Sequence, residues 1–356
     1  MTDLMVLISI GLKTSLVVAA AGLLALALRR QSAAFGHVVW TVALALCVLM
    51  PLGVLVLPSH EVAVLRSAPT LPLPGVRGRE WEGVILAMWL TGTSFVLLRE
   101  LLAAFGLSRW RRLAAPLTST NWLATLARVG FDHQRLQVLE SKSVASPCTW
   151  GFVRPVLLLP TAGDSWPESA RYAALMHELA HIERRDAVSI LVARLACAVY
   201  WFNPLVWLAA ERIRSLQERA CDDAVLRAGA TPSDYAQFLL DVAAHKSGAT
   251  RFARALGMTH GSSLRTRIVA ILDPQATRSR PRRIRVAAVC AALFAVTMLL
   301  ATITVAVEPP PAPQSPPPET PTLPEIPTTP ETPVMPLQPV PPIPPIEPIS
   351  PIDPIQ

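Results

Sequence analysis

The chain has 356 residues, of which 52% are hydrophobic and only 16% charged, against roughly 25% charged in an ordinary globular protein. With a mean hydropathy of +0.42, much of it must dissolve in lipid, which excludes a soluble cytosolic enzyme, a secreted disulfide scaffold and a wholly disordered chain. The net charge of +7 comes from 32 basic and 25 acidic residues; the arginines cluster beside apolar runs with no nucleic-acid reader motif, so they speak for membrane orientation and against direct nucleic-acid binding.

In chain order, four apolar runs reach the length of about 20 residues that crosses a bilayer. They lie at about residues 4–28, 38–57, 84–107 and 286–307. The first carries Lys13 as its only charge and has no basic leader, so it reads as a retained anchor and not a cleaved signal. Arg29-Arg30, Arg109-Trp110-Arg111-Arg112 and the cluster Arg278, Arg280, Arg282, Arg283 and Arg285 mark cytoplasmic ends. This arrangement predicts a polytopic, mainly α protein with the N-terminus and the C-terminal tail outside and residues 109–285 as a cytoplasmic domain. Three arginines in the exterior loop 58–82 dissent mildly. The five cysteines, Cys47, Cys148, Cys197, Cys221 and Cys290, are odd in number and scattered, which argues against a disulfide framework.

Within 109–285, residues 135–140 and 153–159 read as short strands joined through a turn at Cys148-Thr149-Trp150-Gly151, a small β-hairpin. From Pro167 onward the pattern is helical, with breaks at Asn203-Pro204 and around 229–232. The tail, 308–356, contains 21 of the 35 prolines, one at every third position from Pro318 to Pro354. That period matches polyproline II, with three residues per turn, and gives either a disordered spacer or a docking rod for an extracytoplasmic partner.

The segment that carries chemistry is His177-Glu178-Leu179-Ala180-His181. On a helix, residues four apart share a face, so the two imidazoles can meet one ion while Glu178 reaches water beside it. Zinc suits such a site. A third ligand is required, and Glu218 is the best candidate, in Glu218-Arg219-Ala220-Cys221-Asp222; Asp222, one turn on, is placed to orient a ligating histidine. Cys221 and Asp222 remain rival ligands. If residues 187–210 crossed the membrane, Glu218 would lie on the wrong side, so this stretch is expected to form a helical hairpin bent at Asn203-Pro204. It would be buried against the domain or dip into the cytoplasmic leaflet. Tyr235 and His245 are candidate donors to a transition state, though each reads more readily as packing or surface. His37, His60, His133 and His260 read as interfacial or surface residues, and the edge of the 153–159 strand as the place where a peptide would pair.

His177-Glu178-Leu179-Ala180-His181-Ile182-Glu183-Arg184-Arg185-Asp186 followed by Glu218-Arg219-Ala220-Cys221-Asp222 resembles the M56 membrane metallopeptidases, the BlaR/MecR-like antirepressor proteases. Trp40, Pro51, Gly151, Pro155, Pro160, Tyr235-Ala236 and Arg267-Ile268 support the match, which covers roughly 1–307. No Ser-x-x-Lys is present, so the resemblance does not extend to a penicillin-binding sensor domain. It implies a zincin-like zinc endopeptidase of the bacterial inner membrane, with Glu178 as general base and a cytoplasmic regulatory protein as substrate, by analogy a BlaI/MecI-like repressor. The rival readings are an M48-like quality-control metalloprotease and a non-catalytic membrane tether with a docking tail.

Overall fold

The structure, a computed structural model, describes residues 3–56, 60–65, 78–130, 136–151, 153–246 and 261–307. The tail, His133 and His260 lie outside them, as do the side chains of His60 and His245. The described chain is mainly helical, and four of its helices are long and apolar enough to cross a membrane. These are α1 (Asp3–Ala27), α2 (Ala33–Val56), α3 (Gly78–Leu113) and, late in the chain, α10 (Arg283–Thr302). The third apolar run continues past Arg99 without a break: α3 has 36 residues, about 54 Å at the helical rise, well beyond the roughly 30 Å of hydrocarbon. The fourth run divides, because β-branched Ile303, Thr304 and Val305 open a strand, β6 (Ile303–Val307), that pairs in parallel with β1 (His60–Leu65).

A small mixed sheet follows α3. It contains β2 (Ala115–Pro116), β3 (Gln137–Ser141), β4 (Cys148–Trp150) and β5 (Val156–Pro160) in the order β2-β3-β5-β4, with α4 (Thr120–Val129) between β2 and β3. The stretch 148–151 is therefore not a turn between two strands. Thr149 and Trp150 suit a pleated surface, and the segment is itself a strand, antiparallel to β5, while β3 runs parallel to β5. The hairpin is β4–β5, and it turns at Gly151, whose φ of 87° favours glycine. Strand β5 is buried along its whole length. Leu157 and Leu159 face Trp122 of α4 and Leu175 of α5 (Glu168–Glu183), while Val156 and Leu158 face Leu139, next to Trp110 near the end of α3.

The remaining helices are α6 (Asp186–Val199), α7 (Pro204–Arg227), α8 (Pro232–Lys246) and α9 (Gly261–Leu272). The break between α6 and α7 has the expected chemistry. The Asn203 side chain accepts a hydrogen bond from the Leu205 N–H, and Pro204 occupies the first helical turn, where a missing N–H costs nothing. The apex of this hairpin is held by the long helices: Asn203 Nδ2 donates to Ser15 Oγ of α1 (2.9 Å), the Tyr200 hydroxyl to the Cys47 carbonyl of α2 (2.8 Å), and Trp89 Nε1 of α3 to the Val199 carbonyl (2.9 Å). Val17, Leu44, Met50, Ala196, Val206 and Ile213 share one core, so α6 and α7 are packed into the α1–α2 pair.

Candidate metal centre

Helix α5 starts after Pro167 with Glu168 in its first turn, where a carboxylate favours the helix N-terminus. Its buried residues are Ala173, Ala174, Leu175, His177, Leu179 and Ala180, and Ala173 packs with Val225 of α7. His177 and His181 stand one turn apart on one face, and their Nε2 atoms are 3.3 Å from each other. From α7, Glu218 places Oε2 3.5 Å from His177 Nε2 and Oε1 3.8 Å from His181 Nε2. Around a tetrahedral ion with bonds of 2.0–2.1 Å, ligand atoms sit about 3.3–3.5 Å apart, so this donor set fits zinc in both chemistry and spacing.

The other ring nitrogens face anchoring carboxylates. His177 Nδ1 lies 3.2 Å from Asp222 Oδ1, and His181 Nδ1 lies 2.9 Å from Asp186 Oδ2. Carboxylates at both Nδ1 positions hold the tautomer whose Nε2 is free to ligate. Cys221 Sγ, 3.3 Å from His181 Nδ1, also stands on this outer side, so Cys221 and Asp222 do not share the space that Glu218 shares with the two Nε2 atoms. Cys221, Asp186 and His181 form a second grouping of possible ligand atoms, entered from Nδ1.

Three members of the cluster carry roles that spacing did not reveal. Asp186 reaches back to His181 because Arg185 takes a left-handed conformation (φ 54°) between α5 and α6, an uncommon geometry for a residue other than glycine. Arg267 of α9 donates from Nε and Nη2 to the two oxygens of Asp222 (2.8 and 2.7 Å), and its Nη1 is 2.9 Å from Glu218 Oε2. The Tyr235 hydroxyl donates to Asp222 Oδ1 (2.8 Å) and lies 3.1 Å from His177 Nδ1; the residue is packed in the interior, as the packing expectation has it, and its hydroxyl joins the carboxylate network. Only an i, i+4 relation could have been read locally, and none links these residues to His177 or His181. His37 departs from the interfacial or surface position expected of it. It is buried in α2, with Nε2 3.0 Å from Ser189 Oγ and 3.8 Å from Asp186 Oδ1.

Burial alone would lower the His177 pKa, but its hydrogen bonds to Asp222 and Glu218 prevail and raise it to about 9. For Glu218, burial pushes upward and is overcome by the His177 hydrogen bond and the Arg267 charge, which hold the carboxyl well below its usual range.

A cavity of about 760 Å³ opens over the cluster, and His177, Glu178, His181 and Glu218 line it. Its other walls are Leu107 and Trp110 of α3, residues 143–151 including β4, Leu191 of α6 and Phe238 of α8. Strand β5 offers no edge for a peptide, contrary to expectation, because β3 and β4 occupy both of its sides. The terminal strand of the sheet on the cavity side is β4.

Two imidazoles a helical turn apart, a carboxylate from a later helix between them and four span-length apolar helices are the marks of a membrane peptidase of the HExxH class. The family described as BlaR1 peptidase M56 matches residues 5–271, and the chain belongs to it. It is 28% identical over 149 residues to the regulatory protein BlaR1 of Bacillus licheniformis, covering 41% of this chain and 25% of that protein. It is 21% identical over 216 residues to the methicillin resistance mecR1 proteins of Staphylococcus aureus and Staphylococcus epidermidis, covering 58% of this chain and 37% of each. The matches thus span between about a quarter and somewhat over a third of those relatives.

Proposed function

We propose that the protein is an integral-membrane zinc endopeptidase that cleaves a cytoplasmic regulatory protein, a BlaI/MecI-like repressor by analogy, in signal transduction. The observation that carries this reading is the convergence of His177 Nε2, His181 Nε2 and the Glu218 carboxylate within 3.3 to 3.8 Å of one another. His177, His181 and Glu218 would hold the zinc. Asp222 and Asp186 fix the ring orientations of the two histidines. When bound, zinc supplies Lewis acidity for the scissile carbonyl and for water. Glu178, one residue past His177 and on the cavity wall, accepts a proton from water as general base and returns it to the leaving amine. A peptide in extended form pairs with the outer edge of β4, which places its backbone across the cavity floor. The family match favours this reading over an M48-like quality-control protease.

The arginine clusters orient the chain in the inner membrane with the site on the cytoplasmic side, the N-terminus and the proline-rich tail outside, and the α6–α7 apex dipping among the spans. A protease-cleavable tag at residue 230 should be protected from the periplasmic face; cleavage there would overturn the orientation. For the chemistry, Glu178→Gln should retain stoichiometric zinc, measured by elemental analysis, while losing on the order of 10²–10⁴-fold in peptidase rate, the usual worth of a general base. In cells, a regulatory protein should then persist only beside the variant. Full activity in Glu178→Gln would refute the assignment.

Proton linkage gives a second test. With the His177 pKa raised to about 9, zinc uptake by the metal-free protein displaces a proton at neutral pH, so zinc affinity should rise by up to about tenfold per pH unit until that value is reached. Calorimetry in two buffers of different ionisation heat would count the proton. In the same metal-free form, the His177 shift stabilises the fold below the ordinary histidine range, and that contribution fades as pH rises through about 9.

A further inference from the structure

Arg267 is far from the HExxH segment in sequence, yet its guanidinium touches the site at two points. Its Nη1 lies 2.9 Å from Glu218 Oε2, and Nε and Nη2 grip both oxygens of Asp222 at 2.8 and 2.7 Å. Asp222 in turn stands 3.2 Å from His177 Nδ1 and accepts the Tyr235 hydroxyl. The Arg267 side chain is mostly buried, 15% exposed, on a helix whose Ile271 packs with Val225 of α7 and Tyr235 of α8.

We propose that Arg267 is the positioning residue of the metal centre, aligning the Glu218 carboxylate directly and the His177 ring through Asp222. The proposal rests on the zinc-peptidase reading above. A guanidinium is planar and presents its donors in a fixed fork. One rigid group therefore sets the angle between two carboxylates that stand a helical turn apart on α7, and holds Glu218 by the oxygen on the His177 side. If the residue only neutralised one buried and one half-buried acid, any cation would serve, and lysine supplies a point charge without the fork.

The test compares wild type with Arg267→Lys in the full-length protein. Zinc affinity is read by chelator competition, the ligand field by the visible spectrum of the cobalt-loaded protein, and kcat and KM on a peptide. Arg267→Lys should weaken zinc binding ten- to hundredfold, the range seen when a group supporting a metal ligand is removed, shift the cobalt spectrum, and lower kcat with KM little changed. Wild-type zinc affinity and spectrum in Arg267→Lys would overturn the inference, even if its metal-free form melted at a lower temperature, since that is what a purely structural arginine would give. If the lysine variant does not accumulate, Arg267→Ala with added methylguanidinium or methylammonium replaces it. Recovery of zinc binding with methylguanidinium alone supports the inference, and any other result overturns it. Wild-type protein without stoichiometric zinc would remove the peptidase reading and this inference together, whereas a zinc-binding wild type matched by Arg267→Lys removes the inference alone.

Discussion

Helices α2 and α3 are both long, apolar and fit to span a bilayer, but they stand in different relations to the site. Along α2, Phe35, Val39, Ala43, Leu44, Cys47 and Met50 are all buried, and its His37 meets Ser189 and Asp186 at the root of the candidate metal centre. On α3, Phe95, Leu98, Leu101, Leu102 and Phe105 are exposed to the surroundings, with Val96 the buried apolar residue among those described. Polar contacts hold α3 to its neighbours beside the close approach of the Trp201 ring to Gly92: Glu100 Oε2 to Arg194 Nε at 3.1 Å, Trp89 to the Val199 carbonyl, and Arg99 over the Trp207 ring. Its far end nonetheless forms one wall of the cavity and packs beside the sheet. The difference separates a foundation from a wall. Packing makes α2 part of the body that carries the candidate ligands, while α3 borders the cavity at small energetic cost.

Substitutions can break that contrast. Leu44→Ala, in the fully buried seam of α2, should cost about 2–5 kcal/mol of stability, measured by thermal unfolding in detergent; a negligible change would demote α2 from foundation. Asp186→Asn keeps the shape but weakens the grip on His181, and zinc affinity should drop ten- to hundredfold with the helix content by circular dichroism unchanged. Glu100→Gln should alter stability by less than about 1 kcal/mol, as expected for a partly exposed pair. It should nonetheless change KM for a peptide, because Arg194 lines the cavity. Stability loss comparable to Leu44→Ala would mean that α3 is as firmly seated as α2.

The parts of this molecule that sequence reveals are those governed by local periodicity. The four-residue spacing of His177 and His181 and of Glu218 and Asp222 follows from the helix itself, and the Asn203-Pro204 break announces its own cap. The apolar runs likewise announce the long helices, although α3 hides its true length because Arg99 interrupts the run without interrupting the helix. What stays hidden depends on tertiary arrangement. Parallel pairing of β3 with β5, with β4 on the opposite side, is a property of strand order that alternation cannot encode. Asp186 returns to His181 only through the left-handed Arg185, and Arg267 reaches Asp222 from a helix 45 positions along the chain.

The α6–α7 apex has a bearing on how the molecule comes into being. Between the histidine-bearing helix α5 and the glutamate-bearing helix α7 the chain runs through α6 and an apex clasped by Ser15, Cys47 and Trp89. Those three residues emerge from the ribosome long before the apex they will hold. The span-length N-terminal helices therefore act as the jig on which the half bearing the candidate metal centre is assembled. An excised fragment of residues 109–285 should accordingly fail to take up zinc stoichiometrically, and co-expression with residues 1–108 should restore it.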